Sequence, residues 1–194
     1  RDKVELIYAT PLDAAFTKPV AAKHLGDMLE SRGIQVEPDF MTMEADPERN
    51  VLVSYDEREI PYDILVTVPV NMGADFVERS GLGVEFNHVR VDKGTFLSDD
   101  FDNIFALGDA GNIPTSKAGS VAHFAIDVFV ENFMEHIAGR PMREEFDGHA
   151  NCFIESGHGK GLLIDFNYDV EPLPGKFPFP GVGPFSLLEE SEAN

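Results

Sequence analysis

Apolar residues fall along this chain in short runs and in helical spacing, and the two patterns alternate. Val4–Ala9 is an apolar run of strand length, broken by Thr10 and Pro11. From Lys18 to Arg32, Ala21, Leu25, Met28 and Leu29 recur at helical spacing, and Gly33 is a natural stop. Ile34 and Val36 alternate as the opening of a second strand. Strand, helix and strand in roughly 30 residues make a unit of βαβ size. Val51–Tyr55, the turn residues Asp56 and Glu57, and Ile60–Tyr62 predict a small meander. Ile64–Val68 reads as a buried strand ended by Pro69.

Residues 70–103 are rich in turn formers, with short strand candidates at Val89–Val91 and Thr95–Leu97. Ile104–Leu107 predicts a second short buried strand that runs straight into Gly108 and Asp109. After the polar loop Asn112–Lys117 the spacing predicts a long helix to about Ile137. Val121, Phe124, Ala125, Val128, Phe129 and Phe133 leave it apolar almost all round, the pattern of a core helix, and Gly139 and Pro141 end it. Ala150–Glu155 and Leu162–Phe166 predict paired strands joined by the Gly-rich stretch Ser156–Gly161. From Pro172 onward the chain is dominated by Pro, Gly and Phe. These elements predict an α/β chain: a parallel sheet plus a meander, with a C-terminal β-hairpin region.

Charge narrows the partners. The 194 residues carry 35 acidic side chains against 15 Lys plus Arg, a formal net charge of −20. Nucleic acid and anionic headgroups bind through Lys and Arg, so no nucleic acid is expected. Acid spread along the whole chain suits a salt-rich cytoplasm, where screening weakens self-repulsion, and a salt-adapted (halophilic) source is the expectation. No apolar run approaches the roughly 20 residues of a membrane helix. One cysteine excludes an intramolecular disulfide.

Two places carry candidate chemistry. A strand ending in Gly108-Asp109 sets a carboxylate at the C-terminal edge of a sheet, where ligands bind in open α/β folds. Glycine admits a ligand close to the backbone, and the carboxylate accepts hydrogen bonds from sugar-like hydroxyls. A helix starting near Lys117 or Ala118 offers free N–H groups and a positive dipole end to an anionic group. Cys152, the lone thiol, is on residue type alone a small core side chain. Six histidines are present, but His149, Cys152 and His158 form no metal-ligand spacing with a fourth ligand, so no metal is expected.

The stretch Asn103-Ile-Phe-Ala-Leu-Gly-Asp-Ala-Gly-Asn resembles the second flavin motif of the FAD-dependent pyridine nucleotide-disulfide reductase superfamily. Its continuation, Ile113-Pro-Thr-Ser-Lys-Ala-Gly-Ser-Val-Ala, resembles the Pro-Lys-Thr-Gly segment of the sulfide:quinone oxidoreductases, with Ala118 where Thr is usual. Ala150-Asn-Cys-Phe-Ile-Glu-Ser-Gly resembles the segment that carries that family's C-terminal redox cysteine. The resemblance implies a fragment of a flavoprotein with two dinucleotide-binding domains. Residues 1–70 would be the second half of the pyridine-nucleotide-type domain, 71–140 the returning part of the FAD-binding domain, and 141–194 the redox-cysteine and quinone-side region. It implies FAD held by Gly108, Asp109, Lys117 and Ala118, with weak or no binding in this chain alone.

The same resemblance makes Cys152 one of two redox sulfurs, which a positive local potential should activate as thiolate; the partner cysteine is not in this chain. Phe153, Phe177 and Phe179 become candidates for a quinone pocket, since aromatic faces suit a flat ring. Sulfide and a membrane quinone are the implied partners. Peripheral membrane contact would come through segments not present here, and a homo-oligomer is compatible. The location implied is cytoplasmic or membrane-peripheral. No Gly-x-Gly-x-x-Gly occurs, so the chain is expected to be a piece cut at both ends and inactive by itself. A type II NADH dehydrogenase and a flavocytochrome-type sulfide dehydrogenase are the rival enzymes, and a flavin-free binding module is the rival of another class.

Overall fold

Pro19 opens the first helix because its fixed φ suits a position whose N–H has no partner in any case. The computed structural model describes residues 3–171 and 188–192. The chain divides after Pro69 into two compact units. In the first, β1 (Leu6–Ala9) pairs in parallel with β2 (Ile34–Glu37) through α1 (Pro19–Ser31), with Leu6 opposite Ile34 and Ala9 opposite Glu37. This is the βαβ unit that the spacing predicts. Ala21 and Ala22 form the buried stripe of α1.

β3 (Thr42–Asp46), β4 (Val51–Ser54) and β5 (Glu59–Pro61) form the antiparallel meander, in the order β3-β4-β5. β3 is an addition to the sequence reading. Its residues Thr-Met-Glu-Ala-Asp are mostly exposed, so it has little hydrophobic signal to read. Ile64–Val68 departs from expectation: it forms no strand, and Ile64 and Val66 are 84% and 91% exposed. An apolar run becomes a strand only where another strand supplies hydrogen-bond partners, and none of the described residues pairs with it.

The second unit is held by α3 (Gly119–Ile137) and the hairpin of β6 (Ala150–Gly157) and β7 (Lys160–Phe166); a short α2 (Asp75–Arg79) precedes them. The hairpin turn is tighter than the predicted loop. His158 and Gly159 both have positive φ, the two-residue geometry that follows the sheet's own twist. Leu162, Ile164 and Phe166 are buried on β7.

Val89–Val91, Thr95–Leu97 and Ile104–Leu107 are not strands but single bridges: Val89 to Gly83 and Gly111, Val91 to Ser98, and Leu97 to Phe105. The backbone explains it. Asp92 accepts the N–H groups of Gly94 and Thr95 and the Thr95 hydroxyl, closing a turn. Phe96 then enters the left-handed region at φ 66 with its ring fully buried. No ladder extends through such a bend.

α3 has the predicted length but is not enclosed. Val121, Ala125 and Asn132 are buried, while Ile126, Val130, Met134 and Ile137 form an exposed apolar stripe one helical turn apart. On a second face Phe105 lies edge-on to Phe129, Phe133 and His136. Pattern alone cannot say which side of an apolar helix meets a neighbour. Asn132, fully buried, donates to the carbonyl of Glu144 at 2.8 Å and accepts the N–H groups of Arg143 and Glu144. Replacing Asn132 with Ala leaves those backbone groups without partners. The variant should lose about 2–4 kcal/mol of unfolding free energy, read from urea denaturation monitored by circular dichroism.

Candidate functional site

The Gly108–Ala110 turn and the start of α3 build the site. Leu107 is extended, with φ −133 and ψ 171, and Gly108 then turns the chain at φ 59. A Cβ at Gly108 would lie 3.3 Å from that of Ala122 on α3, so glycine serves both the dihedral and the close approach. Asp109 therefore occupies the middle of a one-turn 3-10 helix rather than the end of a strand, with an exposed side chain. Ala110 and Asn112 tie the turn to Val89: the Val89 N–H donates to the Ala110 carbonyl at 2.8 Å, and the Asn112 N–H to the Val89 carbonyl at 3.0 Å.

The loop from Asn112 to Lys117 brings the chain to α3. Ala118, at φ −135 and ψ 148, is the last residue before the helix. No described side chain caps this end, and the first turn carries no acidic residue. Its N–H groups and dipole are therefore open to an anion. Lys117 Nζ folds back to donate to the carbonyl of Gly111. Burial pulls the Lys117 pKa below the usual lysine value, and the Asp109 carboxylate opposes that pull. Gly108, Asp109, Lys117 and Ala118 are thus gathered at one helix end.

Cys152 reaches the same neighbourhood through its strand. Ser120, in the first turn of α3, donates to the carbonyl of Asn151 at 2.7 Å and accepts the Asn151 N–H at 3.2 Å. Cys152 itself lies opposite Ile164 and shares a face of β6 with Ala150. Burial pushes its thiol pKa up. This runs against the activated thiolate expected from the resemblance, since burial disfavours the charged form. Phe153 projects from the other face of β6 and is 68% exposed, beside a shallow groove of about 280 Å³ at the hairpin end. Phe177 and Phe179 lie outside the described residues.

His149 has a more specific place than that of a loop histidine. Its ring stacks on Phe124 of α3 at 3.9 Å, and Nε2 meets Asp165 at 2.8 Å. The register of Asn151 opposite Asp165 is the signal that brings the two side chains together. Among the described residues no group of His, Cys, Asp or Glu is placed to hold a metal ion. Among the same residues no helix is long and apolar enough to cross a membrane.

The arrangement defines a class first. This is a mixed α/β chain of the kind found in FAD-dependent reductases. It superposes on ferredoxin reductase from Rhodopseudomonas palustris with a TM-score of 0.55 over 86% of the chain, at 16% identity and 42% of that structure. The likeness is greater to sulfide:quinone oxidoreductase from Aquifex aeolicus, with a TM-score of 0.72 over 86% of this chain and 43% of that one, at 16% identity. A chain in the Tetrahymena thermophila mitochondrial ATP synthase structure gives 0.73 over 94% of this chain and 43% of its own length, at 21% identity. At these identities the likeness is one of fold.

Sequence comparison then gives the particular relatives. The chain is 28% identical over 175 residues to the mitochondrial sulfide:quinone oxidoreductase of Dictyostelium discoideum, covering 88% of this chain and 39% of the relative. It is 33% identical over 114 residues to that of Schizosaccharomyces pombe, covering 59% and 25%. No protein-family profile matches it. The chain thus resembles part of sulfide:quinone oxidoreductase in both sequence and fold, and it spans about two-fifths or less of these relatives' length.

The raised thiol pKa sets an expectation for reactivity. Alkylation of Cys152 by iodoacetamide at pH 8 should be slower than that of free cysteine, and its rate should climb about tenfold per pH unit until the thiol ionises. A pH–rate profile with its inflection at or below that of free cysteine would contradict the burial described.

Proposed function

We propose that this chain is the flavin-facing and sulfur-handling part of an FAD-dependent sulfide:quinone oxidoreductase. In the overall reaction one hydrosulfide ion, a proton and a quinone give zero-valent sulfur and a quinol. The observation that carries the reading is the meeting of the Gly108-Asp109 turn with an uncapped helix start. These residues fit a flavin: the glycine clears the backbone, the exposed carboxylate accepts from polyol hydroxyls, and the helix end with Lys117 favours negative charge. FAD, when bound, supplies the two-electron chemistry. Asp109 would hold its ribityl chain, Lys117 and the N–H groups following Ala118 would favour negative charge on the reduced flavin, and Cys152 would carry sulfide sulfur with a second cysteine supplied by the rest of the protein. A quinone pocket that includes Phe153, Phe177 and Phe179 completes the path. The chain alone would be inactive and would hold FAD weakly or not at all.

The half-buried, high-pKa thiol favours a second reading, in which Cys152 only packs and the flavin serves a type II NADH dehydrogenase. Two variants of the complete enzyme separate the readings. Cys152→Ser should abolish sulfide-dependent quinone reduction with FAD retained, because a serine hydroxyl neither ionises near neutrality nor carries sulfur. Asp109→Ala should weaken FAD retention by about ten- to a hundredfold, the worth of roughly 1.5–3 kcal/mol for a charged hydrogen bond. Sulfide oxidation at the parental rate in the Cys152 variant would favour the NADH dehydrogenase.

The charge of −20 supports a salt-adapted source. Lower ionic strength lengthens the screening distance from about 3 Å at 1 M salt to about 10 Å at 0.1 M. The melting temperature should fall along that series, and a melting temperature indifferent to salt would refute the adaptation.

A further inference from the structure

The groove beside the Glu85–Asn87 turn carries two donors, Arg90 and Asn112, that the redox reading leaves unused, and shares Lys117 with that reading. Its volume is about 510 Å³, within the roughly 300–1,000 Å³ of small-molecule sites. We propose that this groove binds a small organic phosphate, with Arg90, Lys117 and Asn112 holding the phosphate and Phe86 and Ile113 flanking its apolar body.

Charge is the first argument. In a chain with a net charge of −20, this lining sets two basic side chains, Arg90 and Lys117, against one carboxylate, Glu85. Asp109 stands near enough to act on Lys117 but is not part of the lining. Arg90 is exposed and has no ion-pair partner among the described residues. Lys117 uses one of its three donors on the Gly111 carbonyl. The Asn112 side-chain oxygen accepts the Val91 N–H at 3.0 Å, which leaves its NH₂ group to donate elsewhere.

The wall of the groove is the second argument. Phe86, at φ 54 and ψ 28, and Asn87, at φ 61, are consecutive non-glycine residues in the left-handed region. Such strain persists only where the surroundings impose it, and it clusters at binding sites. The strained pair leads into His88, whose Nδ1 is sealed from solvent with no hydrogen-bond partner among the described residues. His88 also joins the lining of the groove. Phe86 remains about half exposed, which suits contact with the organic part of a ligand.

The site shares Lys117 with the flavin reading, so its test turns on Arg90 and Phe86, which that reading leaves out. The purified chain is titrated with inorganic phosphate and with phenyl phosphate, at constant ionic strength and with chloride as the reference anion, by calorimetry. Saturable one-to-one binding is expected, tighter for phenyl phosphate. Arg90→Gln, a residue the flavin reading does not use, should weaken both by about tenfold or more, with the circular dichroism spectrum unchanged. Phe86→Ala should weaken phenyl phosphate alone. Absence of saturation, or affinities in Arg90→Gln equal to those of the parent, would overturn the site. Equal affinity for the two phosphates would overturn its organic half and leave a bare oxyanion as the ligand.

Discussion

The approach of the Gly108 turn to α3 is the constraint on which the second unit's site depends. The turn can sit against Ala122 only because residue 108 lacks a Cβ and accepts a positive φ. From that contact follow the exposure of Asp109, the path of the loop to Ala118 and the open helix end. Two further ties fix the hairpin to the same place. Ser120 grips the backbone of Asn151, and Thr115 donates to the carbonyl of Gly148 at 3.2 Å. Gly148 in turn lies so close to the Tyr168 ring that a Cβ there would stand 2.2 Å from it. The thiol-bearing strand and the Gly-Asp turn are therefore parts of one packed assembly.

Electrostatics divides this assembly from the rest of the surface. Most ion pairs lie on exposed ground, such as Lys23 with Asp27 and Arg49 with Asp46 and Glu59, and contribute little to stability. Around the start of α3 the balance is more even. There a helix end, the half-buried Lys117 and Arg90 stand with Glu85 and Asp109, which relieves locally the acid excess of the chain. Burial works in the opposite sense on the thiol, which it keeps protonated. Tyr168, pushed up to about 12 by burial and by Asp147 and Asp92, stays neutral as well and donates its hydroxyl to the Lys93 carbonyl.

Apolar residues patterned for burial but left exposed occur in both units. Ile64, Val66 and Val68 stand open in the first, and Ile126, Val130, Met134 and Ile137 in the second. Contiguous apolar surface of this kind usually marks a place of contact. The chain spans about two-fifths or less of its curated relatives, so most of their length lies outside the match.

By itself the sequence determined the local elements. The βαβ unit, the β4–β5 pair of the meander, the 19-residue helix and the hairpin follow from period, β-branched runs and turn residues, which act over a few neighbours, whereas β3 has no such signal. It also determined the resemblance, because Gly108-Asp109, the Pro-Thr-Ser-Lys loop and the Cys152 segment lie in one recognisable order. What only the tertiary structure decided depends on who the neighbours are. Ile64–Val68 lacks a strand partner, Thr95–Leu97 is bent by the Asp92 turn, and α3 covers one face and leaves another bare. The strained Phe86-Asn87 pair, the His149–Asp165 contact and the raised thiol pKa were equally out of reach, since long-range packing imposes dihedrals and burial that no local pattern encodes.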